Sequence, residues 1–211
     1  MQLSVRVYLV DDHSVVREGY KHLLEKANIK VIAEASSGEE AYKNYDGIKP
    51  DIVIMDLSMP GMGGMETIKK LIIKDKQAKI LAFSMHDEVV YCTRAMQAGA
   101  CGYVTKSCAP DVLVEAVFAI AANKKYISPD LAHRIATQHL KPSSDLDNLT
   151  AREFEVFRLL AKGLSLEHVA SSLNHSYKTV ANHQTHLLQK LHLENRSQLI
   201  LAAVKLNITE L

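Results

Sequence analysis

A chain of 211 residues is longer than one average domain, and a hydrophobic content of 47% is ample for packed cores. Its 25 Lys and Arg against 24 Asp and Glu leave a formal net charge of +1, which excludes a global polyanion-seeking field and leaves any nucleic-acid binding to local placement. Three cysteines without a C-x-x-C pair exclude a disulfide framework and a cysteine-based zinc site, and no basic-then-apolar leader or run of membrane-spanning length is present, so a soluble, cytoplasmic protein with no membrane partner is expected.

In chain order, the first half alternates strand and helix patterns. Val5 to Val10 reads as a strand, Ser14 to Lys26 as a helix with Val15, Val16, Tyr20, Leu23 and Leu24 on a common side, and Lys30 to Ala35 as a second strand. Ser37-Gly38-Glu39-Glu40 opens a helix running through Tyr45. Ile52 to Met55, apolar, partly β-branched and bounded by Pro50 and by a Pro/Gly cluster, reads as a strand buried on both faces. Gly64 to Asp75 is helical. Strands at Ile80 to Ser84 and Gly102 to Thr105 bracket a helix from Val89 to Ala98, which Gly99 closes. Pro110 to Asn123 forms a further helix, its proline placed where no backbone N–H is needed. Five strand and helix pairs with right-handed crossovers predict an α/β fold, a doubly wound five-stranded parallel sheet.

Four of these strands run into groups that share one chemistry. The first ends at Asp11 and Asp12, the third at Asp56, the fourth at the hydroxyl of Ser84, and the fifth delivers Lys106. Ligands of open α/β sheets bind at the carboxyl ends of the strands. Carboxylates held close raise one another's pKa unless a divalent ion neutralises them, and hard oxygen ligands suit Mg²⁺. Acids, hydroxyl and ammonium together make a site for a phosphoryl group. Metal and lysine neutralise its oxygens, the hydroxyl hydrogen-bonds one of them, and a carboxylate can accept it. Taken singly, Asp11 or Asp12 is most often a turn residue or helix cap and Lys106 a solvated surface charge; the weight lies in their joint placement. The methionines of this half read as packing rather than as ligands for a hard cation.

The quoted residues Val10-Asp11-Asp12, Met55-Asp56, Met59-Pro60-Gly61, Ser84, Gly99-Ala100, Gly102-Tyr103 and Lys106 resemble the receiver domain of two-component response regulators, a flavodoxin-like fold. The resemblance implies that Asp56 accepts phosphate from a sensor histidine kinase. It implies that Asp11 and Asp12 hold Mg²⁺ with Asp56 and the Ser58 carbonyl, and that Ser84 and Lys106 bind the phosphoryl oxygens. Tyr103 matches the family's switch aromatic, which turns inward when Ser84 engages the phosphoryl group. Ser84 stands where threonine is commoner, which keeps the hydroxyl and loses a methyl.

Residues 1–123 are thus expected to be receiver, and the pattern weakens after them. Lys124-Lys125, Ser128-Pro129, a short helical piece from Asp130 to Gln138 and Lys141-Pro142-Ser143-Ser144-Asp145 mark residues 124–147 as linker. The tail, 148–211, is of another class. Thr150-Ala151-Arg152-Glu153 is a capping box, followed by Phe154, Val156, Phe157, Leu160 and Ala161 at helical spacing and by Gly163 as terminator. A short helix from Leu166 to Leu173, a turn at Asn174 to Ser176 and a longer helix through Leu191 outline a helix-turn-helix in a small all-α unit. The last helix, Ser197 to Leu206, carries the run from Leu199 to Val204, apolar on nearly every side; Leu199, Ile200, Ala203 and Val204 are expected to pair subunits.

Leu149-Thr150-Ala151-Arg152-Glu153, Leu159 to Ser165, Lys178-Thr179-Val180, Asn182-His183, Leu187 and Lys190-Leu191 resemble the LuxR/GerE-type DNA-binding domain. Joined to the receiver, this is the pattern of the NarL/FixJ family, and Ser58 to Gly64, Met96 to Ala100 and Tyr126 to Ala132 are most similar to its GacA/UvrY branch. The resemblance implies a phosphorylation-switched transcription factor that is a homodimer when active and binds double-stranded DNA. It implies base reading from Ala181, Asn182 and Thr185, with Lys178, Thr179, His186 and Lys190 also on the DNA side. Asn182 can pair with adenine and Thr185 can meet a thymine methyl, but only Lys178 and Lys190 carry fixed positive charge on this helix, so a shallow salt dependence is expected. The competing reading for the tail is a receiver-controlled protein-interaction module. An aspartyl-phosphate phosphohydrolase is disfavoured, because the second aspartate such an enzyme needs two residues after Asp56 is replaced by Ser58. The five tail histidines, His168, His175, His183, His186 and His192, lack partner ligands at metal spacing and read as phosphate or packing contacts.

Overall fold

The computed structural model describes residues 4–138 and 149–205. The Lys141 to Asp145 run and Leu206, the end of the last predicted helix, lie outside them. The chain divides into two compact units, Met1–Leu140 and Lys141–Leu211.

Strands that are apolar at every position need cover on both faces, and helical crossovers provide it. In the first unit β1 (Arg6–Val10), β2 (Lys30–Ala35), β3 (Ile52–Met55), β4 (Ile80–Ser84) and β5 (Gly102–Thr105) are all parallel, and β3, β4 and β5 are buried throughout. They alternate with α1 (Ser14–Lys26), α2 (Gly38–Ile48), α3 (Gly63–Lys74), α4 (Val89–Gln97) and α5 (Pro110–Ala121). One core layer joins Val7, Leu9, Ile52, Ile54, Leu81, Phe83 and Val104 of the sheet to Leu24 of α1 and to Leu113, Ala116, Val117 and Ile120 of α5. The sheet order is β2-β1-β3-β4-β5 followed by a sixth strand, so the chain reverses direction across the sheet between β1 and β3. A crevice opens at the carboxyl ends of those two strands.

The sixth strand is a difference from the five expected. Tyr126–Ile127, here β6, pairs in parallel with β5 through Gly102↔Tyr126 and Tyr103↔Ile127, and α6 (Pro129–Gln138) follows with Leu131 wholly buried and α4 as its neighbour. Two residues are too few to show a period of two. What recruits them is the row of unpaired N–H and C=O groups that β5 would otherwise present as an edge. This strand and helix lie in the stretch read as linker.

The second unit holds α7 (Ala151–Ala161), α8 (Leu166–Ser172), α9 (Tyr177–Lys190) and α10 (Arg196–Lys205). Thr150, Ser165 and Ser176 cap the first three, each side chain accepting from the N–H three residues on, and Thr150 with Glu153 closes a full capping box. Phe154, Phe157, Leu160, Val169, Val180 and Leu187 form the core. Leu199 and Ala203 of α10 are also wholly buried, and α10 packs on α7. Of the four residues expected to pair subunits, Leu199 and Ala203 thus lie inside their own domain instead. The four short helices described have few large apolar groups, so the inner side of α10 completes its own core; among its described residues Leu201, 57% exposed, faces outward, with Ile200, Ala202 and Val204 half-buried.

Candidate functional site

The acid crevice at the sheet switch point forms because β1 and β3 are hydrogen-bonded in register, Val10 opposite Met55, so that Asp11 and Asp56 emerge side by side. The Asp56 N–H donates to the Val10 carbonyl at 2.9 Å. Both carboxylates are buried, 2% exposed each. Lys106, carried past the end of β5, reaches between them: its Nζ lies 2.5 Å from Asp11 Oδ2 and 2.7 Å from Asp56 Oδ2. The remaining oxygens are held by backbone, His13 N–H donating to Asp11 Oδ1 at 2.8 Å and Ser58 N–H to Asp56 Oδ1 at 3.0 Å. Gly64 has no room for a side chain, since a Cβ there would lie 1.9 Å from the Asp56 carbonyl oxygen.

Burial pushes the Asp56 carboxyl above its ordinary range, and the Lys106 charge, its hydrogen bond and the Ser58 N–H offset this only in part. Burial also works against the charge on Lys106, but attraction to Asp56 and the bonds to both aspartates outweigh it, so the ammonium is held charged. A buried, penalised carboxylate beside a fixed cation is a carboxylate that gains from a further cation. One oxygen each of Asp11, Asp12 and Asp56, with a ring nitrogen of His13, lie within 4.8 Å of one another, and Asp12 Oδ1 is buried yet accepts no hydrogen bond. The three carboxylates fit a hard divalent ion.

Ser84 closes the opposite side. It is wholly buried at the end of β4, and its Oγ accepts from His86 N–H at 3.2 Å. Tyr103 is also wholly buried, its hydroxyl donating to the His86 carbonyl at 2.7 Å, with burial raising its pKa. The His86 ring stacks on Tyr91 at 4.0 Å, and its Nε2 is 2.9 Å from Ser58 Oγ. Thus the loop after β4 is fastened to Ser84, Ser58 and Tyr103 together. The sequence reading placed Asp11, Asp12, Asp56, Ser58, Ser84, Lys106 and Tyr103 here, and the structure brings all seven to one end of the sheet. It missed His13 and His86. No signal in the sequence marked His86; it meets Ser58 because Met55 and Ala82 are paired, which brings the loops after β3 and β4 together. It also missed two supports. Arg17 donates to the Asp11 carbonyl and to Glu34, and Glu39 accepts from Met62 N–H at 2.8 Å, pinning the loop beyond Asp56.

In the second unit, α9 turns Val180 and Leu187 inward and leaves Lys178, Asn182, Thr185 and His186 exposed, with Thr179 and Ala181 half-buried. Thr185 donates its hydroxyl to the Ala181 carbonyl at 3.1 Å, so toward a ligand it offers a methyl and an acceptor. Lys190 departs from expectation. Its Nζ donates to Glu153 Oε2 at 2.8 Å, and the same oxygen accepts from Thr150 N–H at 2.7 Å, so this cation supports the capping box rather than the outer face. His183 is half-buried, and burial lowers its pKa. Arg152 donates to His175 Nε2, to the Leu173 carbonyl and to Glu155, tying α7 to the turn before α9.

Comparison with known proteins covers both units. The model of the response regulator receiver domain matches residues 7–118, and that of bacterial regulatory proteins of the luxR family matches residues 147–203. The response regulator UvrY of Escherichia coli K12 is 35% identical over 205 residues, covering 95% of this chain and 94% of its own. The transcriptional activator protein ExaE of Pseudomonas putida is 39% identical over 204 residues, with coverage of 94% and 95%. Among solved structures, RcsB of Salmonella enterica serovar Typhimurium bound to promoter rprA with the phosphomimetic BeF3- superposes with a TM-score of 0.68 at 25% identity, covering 94% of this chain and 97% of that one. No helix among the described residues is long and apolar enough to cross a membrane. With a receiver crevice and a LuxR-type helix-turn-helix in one chain, the protein belongs to the NarL/FixJ family of DNA-binding two-component response regulators.

Proposed function

We propose that Asp56 is the phosphoacceptor and that its phosphorylation by a sensor histidine kinase controls dimerisation and promoter binding through α9. The observation that carries this is the buried triad in which Lys106 bridges Asp11 and Asp56 at the switch point of the sheet. An Asp56 oxygen attacks the phosphorus of a phosphohistidine, a P–O bond forms as the P–N bond breaks, and the histidine leaves. Lys106 exchanges part of its contact with the aspartates for a phosphoryl oxygen, and Ser84 Oγ donates to another. Asp11, Asp12, Asp56 and the Ser58 carbonyl would hold Mg²⁺, which when bound neutralises charge on the phosphoryl oxygens. Ser84 Oγ accepts from His86 N–H, so a shift of Ser84 toward the phosphoryl group is passed to the loop after β4, which with Tyr103 bonded to it is the natural element to move. The chain is proposed to reside in the cytoplasm and to act as a phosphoacceptor with at most self-catalysed gain and loss of phosphate.

Base reading is assigned to Asn182 and Thr185 with Ala181, and phosphate contact to Lys178 and Thr179 at the amino end of α9, where free N–H groups favour anions, with His186 one turn further on. RcsB, a relative of this fold, is described on promoter DNA. A second reading, a tail that binds protein instead, draws on the capture of Lys190 by Glu153, which leaves Lys178 as the fixed outward charge of α9. Selection of random duplex DNA by the full chain, with and without a Mg²⁺-dependent phosphoryl donor and at two salt concentrations, separates them. Enrichment of a two-fold symmetric site that sharpens on phosphorylation supports the first; no enrichment in either state overturns it.

A further inference from the structure

The ring of His13 has no role in the reading above. It stands at the N-cap of α1, yet its side chain makes no capping hydrogen bond. Nδ1 lies 3.0 Å from Asp12 Oδ1 and 3.4 Å from Asp11 Oδ1, and the side chain is otherwise 65% exposed. The plain explanation for such a pair is a hydrogen bond. Here that fails, because the same Asp12 Oδ1 is buried and accepts none. Nδ1 and Oδ1 therefore stand 3.0 Å apart out of line for a hydrogen bond.

That distance has a meaning in coordination chemistry. For an octahedral ion with bonds of about 2.1 Å, adjacent ligand atoms stand about 3.0 Å apart, the bond length times the square root of two. Nδ1 stands at that spacing from Asp12 Oδ1 and, at 3.4 Å, a little beyond it from Asp11 Oδ1, and Asp56 contributes an oxygen within 4.8 Å of the others. Asp11 and Asp56 each have both oxygens in contact with Lys106 or a backbone N–H, so Asp12 and His13 carry the least committed donor atoms of the cluster.

We propose that His13 Nδ1 is a direct ligand of the divalent ion in the receiver crevice, giving this site one nitrogen among oxygens and a preference for Mn²⁺ and other first-row transition ions over Mg²⁺. The proposal rests on the metal-holding role assigned above to Asp11, Asp12 and Asp56. An imidazole nitrogen adds little for Mg²⁺, which takes hard oxygen donors and keeps its waters, and adds more along the order from Mn²⁺ toward Cu²⁺. An exposed ring at the N-cap of a helix can swing the short distance needed without disturbing the core.

The test uses the full-length protein with Mn²⁺ alone as the probe. Pulsed electron paramagnetic resonance of the bound Mn²⁺ is expected to show a directly coordinated imidazole nitrogen whose signal changes on ¹⁵N-histidine labelling and is absent in His13→Ala. By calorimetry, His13→Ala is expected to weaken Mn²⁺ binding about tenfold and Mg²⁺ binding less than about twofold. Mn²⁺ bound in the wild type without nitrogen coupling overturns the ligand assignment and leaves the carboxylate site standing. No Mn²⁺ or Mg²⁺ binding to the wild type overturns both.

Discussion

The two units carry their function in opposite ways. In the receiver the groups proposed to act are buried and converge: Asp11 and Asp56 are nearly inaccessible, and Lys106 is fixed between them at 2.5 and 2.7 Å. In the tail they are exposed and diverge along one side of α9, where Asn182, Thr185 and His186 face outward with few fixed charges. Buried charges must be mutually satisfied, so removing one changes everything around it. Exposed groups act nearly independently. Substitutions should therefore be abrupt in the first unit and graded in the second.

The largest effect expected is at Asp56. Asp56→Asn should abolish phosphoryl incorporation from a small-molecule donor, read as stoichiometry on a phosphate-affinity gel, and retained stoichiometry would remove the assignment. The same variant should melt no lower than wild type at neutral pH. Because the folded carboxyl titrates above its unfolded value, the charged form is penalised in the native state; the penalty is present above the folded pKa and vanishes as pH falls below the unfolded one. Any advantage of the variant should shrink in the same direction.

Next in size is Asn182→Ala, expected to cost about 1–3 kcal/mol in binding the selected DNA site and to relax preference at one base pair, whereas Lys178→Ala should weaken all sequences alike and reduce the salt slope by about one unit. Equal loss on specific and random DNA for Asn182→Ala would show that it does not read a base.

Smaller again is the capping box. Glu153→Ala should destabilise the second unit by about 1 kcal/mol in thermal melts. Burial raises the Glu153 pKa, but the bonds from Lys190 and Thr150 together bring it below its ordinary value of 4.5. Its stabilisation is therefore full above that value and lost as pH falls through the lower folded one, so wild type and variant should converge in acid. Lys190→Ala should shift this melt while leaving the salt slope of DNA binding nearly unchanged, the reverse of Lys178→Ala.

The smallest effect is at Arg134, which meets Asp87 at 3.2 Å in a pair exposed on both sides. Arg134→Ala should change stability by less than about 0.5 kcal/mol, and a larger loss would mean that α6 is held by this pair more than by buried Leu131.

The parallel sheet and the crevice were legible because four of the five expected strands end in a distinct chemical group, and parallel pairing brings strand ends to one edge whatever the loops do. Asp11, Asp12, Asp56, Ser84 and Lys106 follow from that alone. The start of α7 was legible too, since Thr150 and Glu153 form a capping box at the spacing the sequence shows. The sixth strand was not legible. Tyr126 and Ile127 have no pattern of their own and become a strand only because β5 offers a partner. Nor was the allocation of α10: an apolar run shows that something must cover it, but only packing decides that Leu199 and Ala203 complete the core of their own domain.

By itself, then, the sequence determined the two domain classes, the receiver crevice and the recognition helix, because periodicity and local capping are properties of neighbours along the chain. The tertiary structure alone decided that Lys190 turns back to Glu153, that His86 joins Ser58 to Tyr103, and that His13 faces Asp12 with no hydrogen bond between them. Each of these depends on which side of an element a side chain leaves and what it meets across space, and no spacing in the chain encodes that.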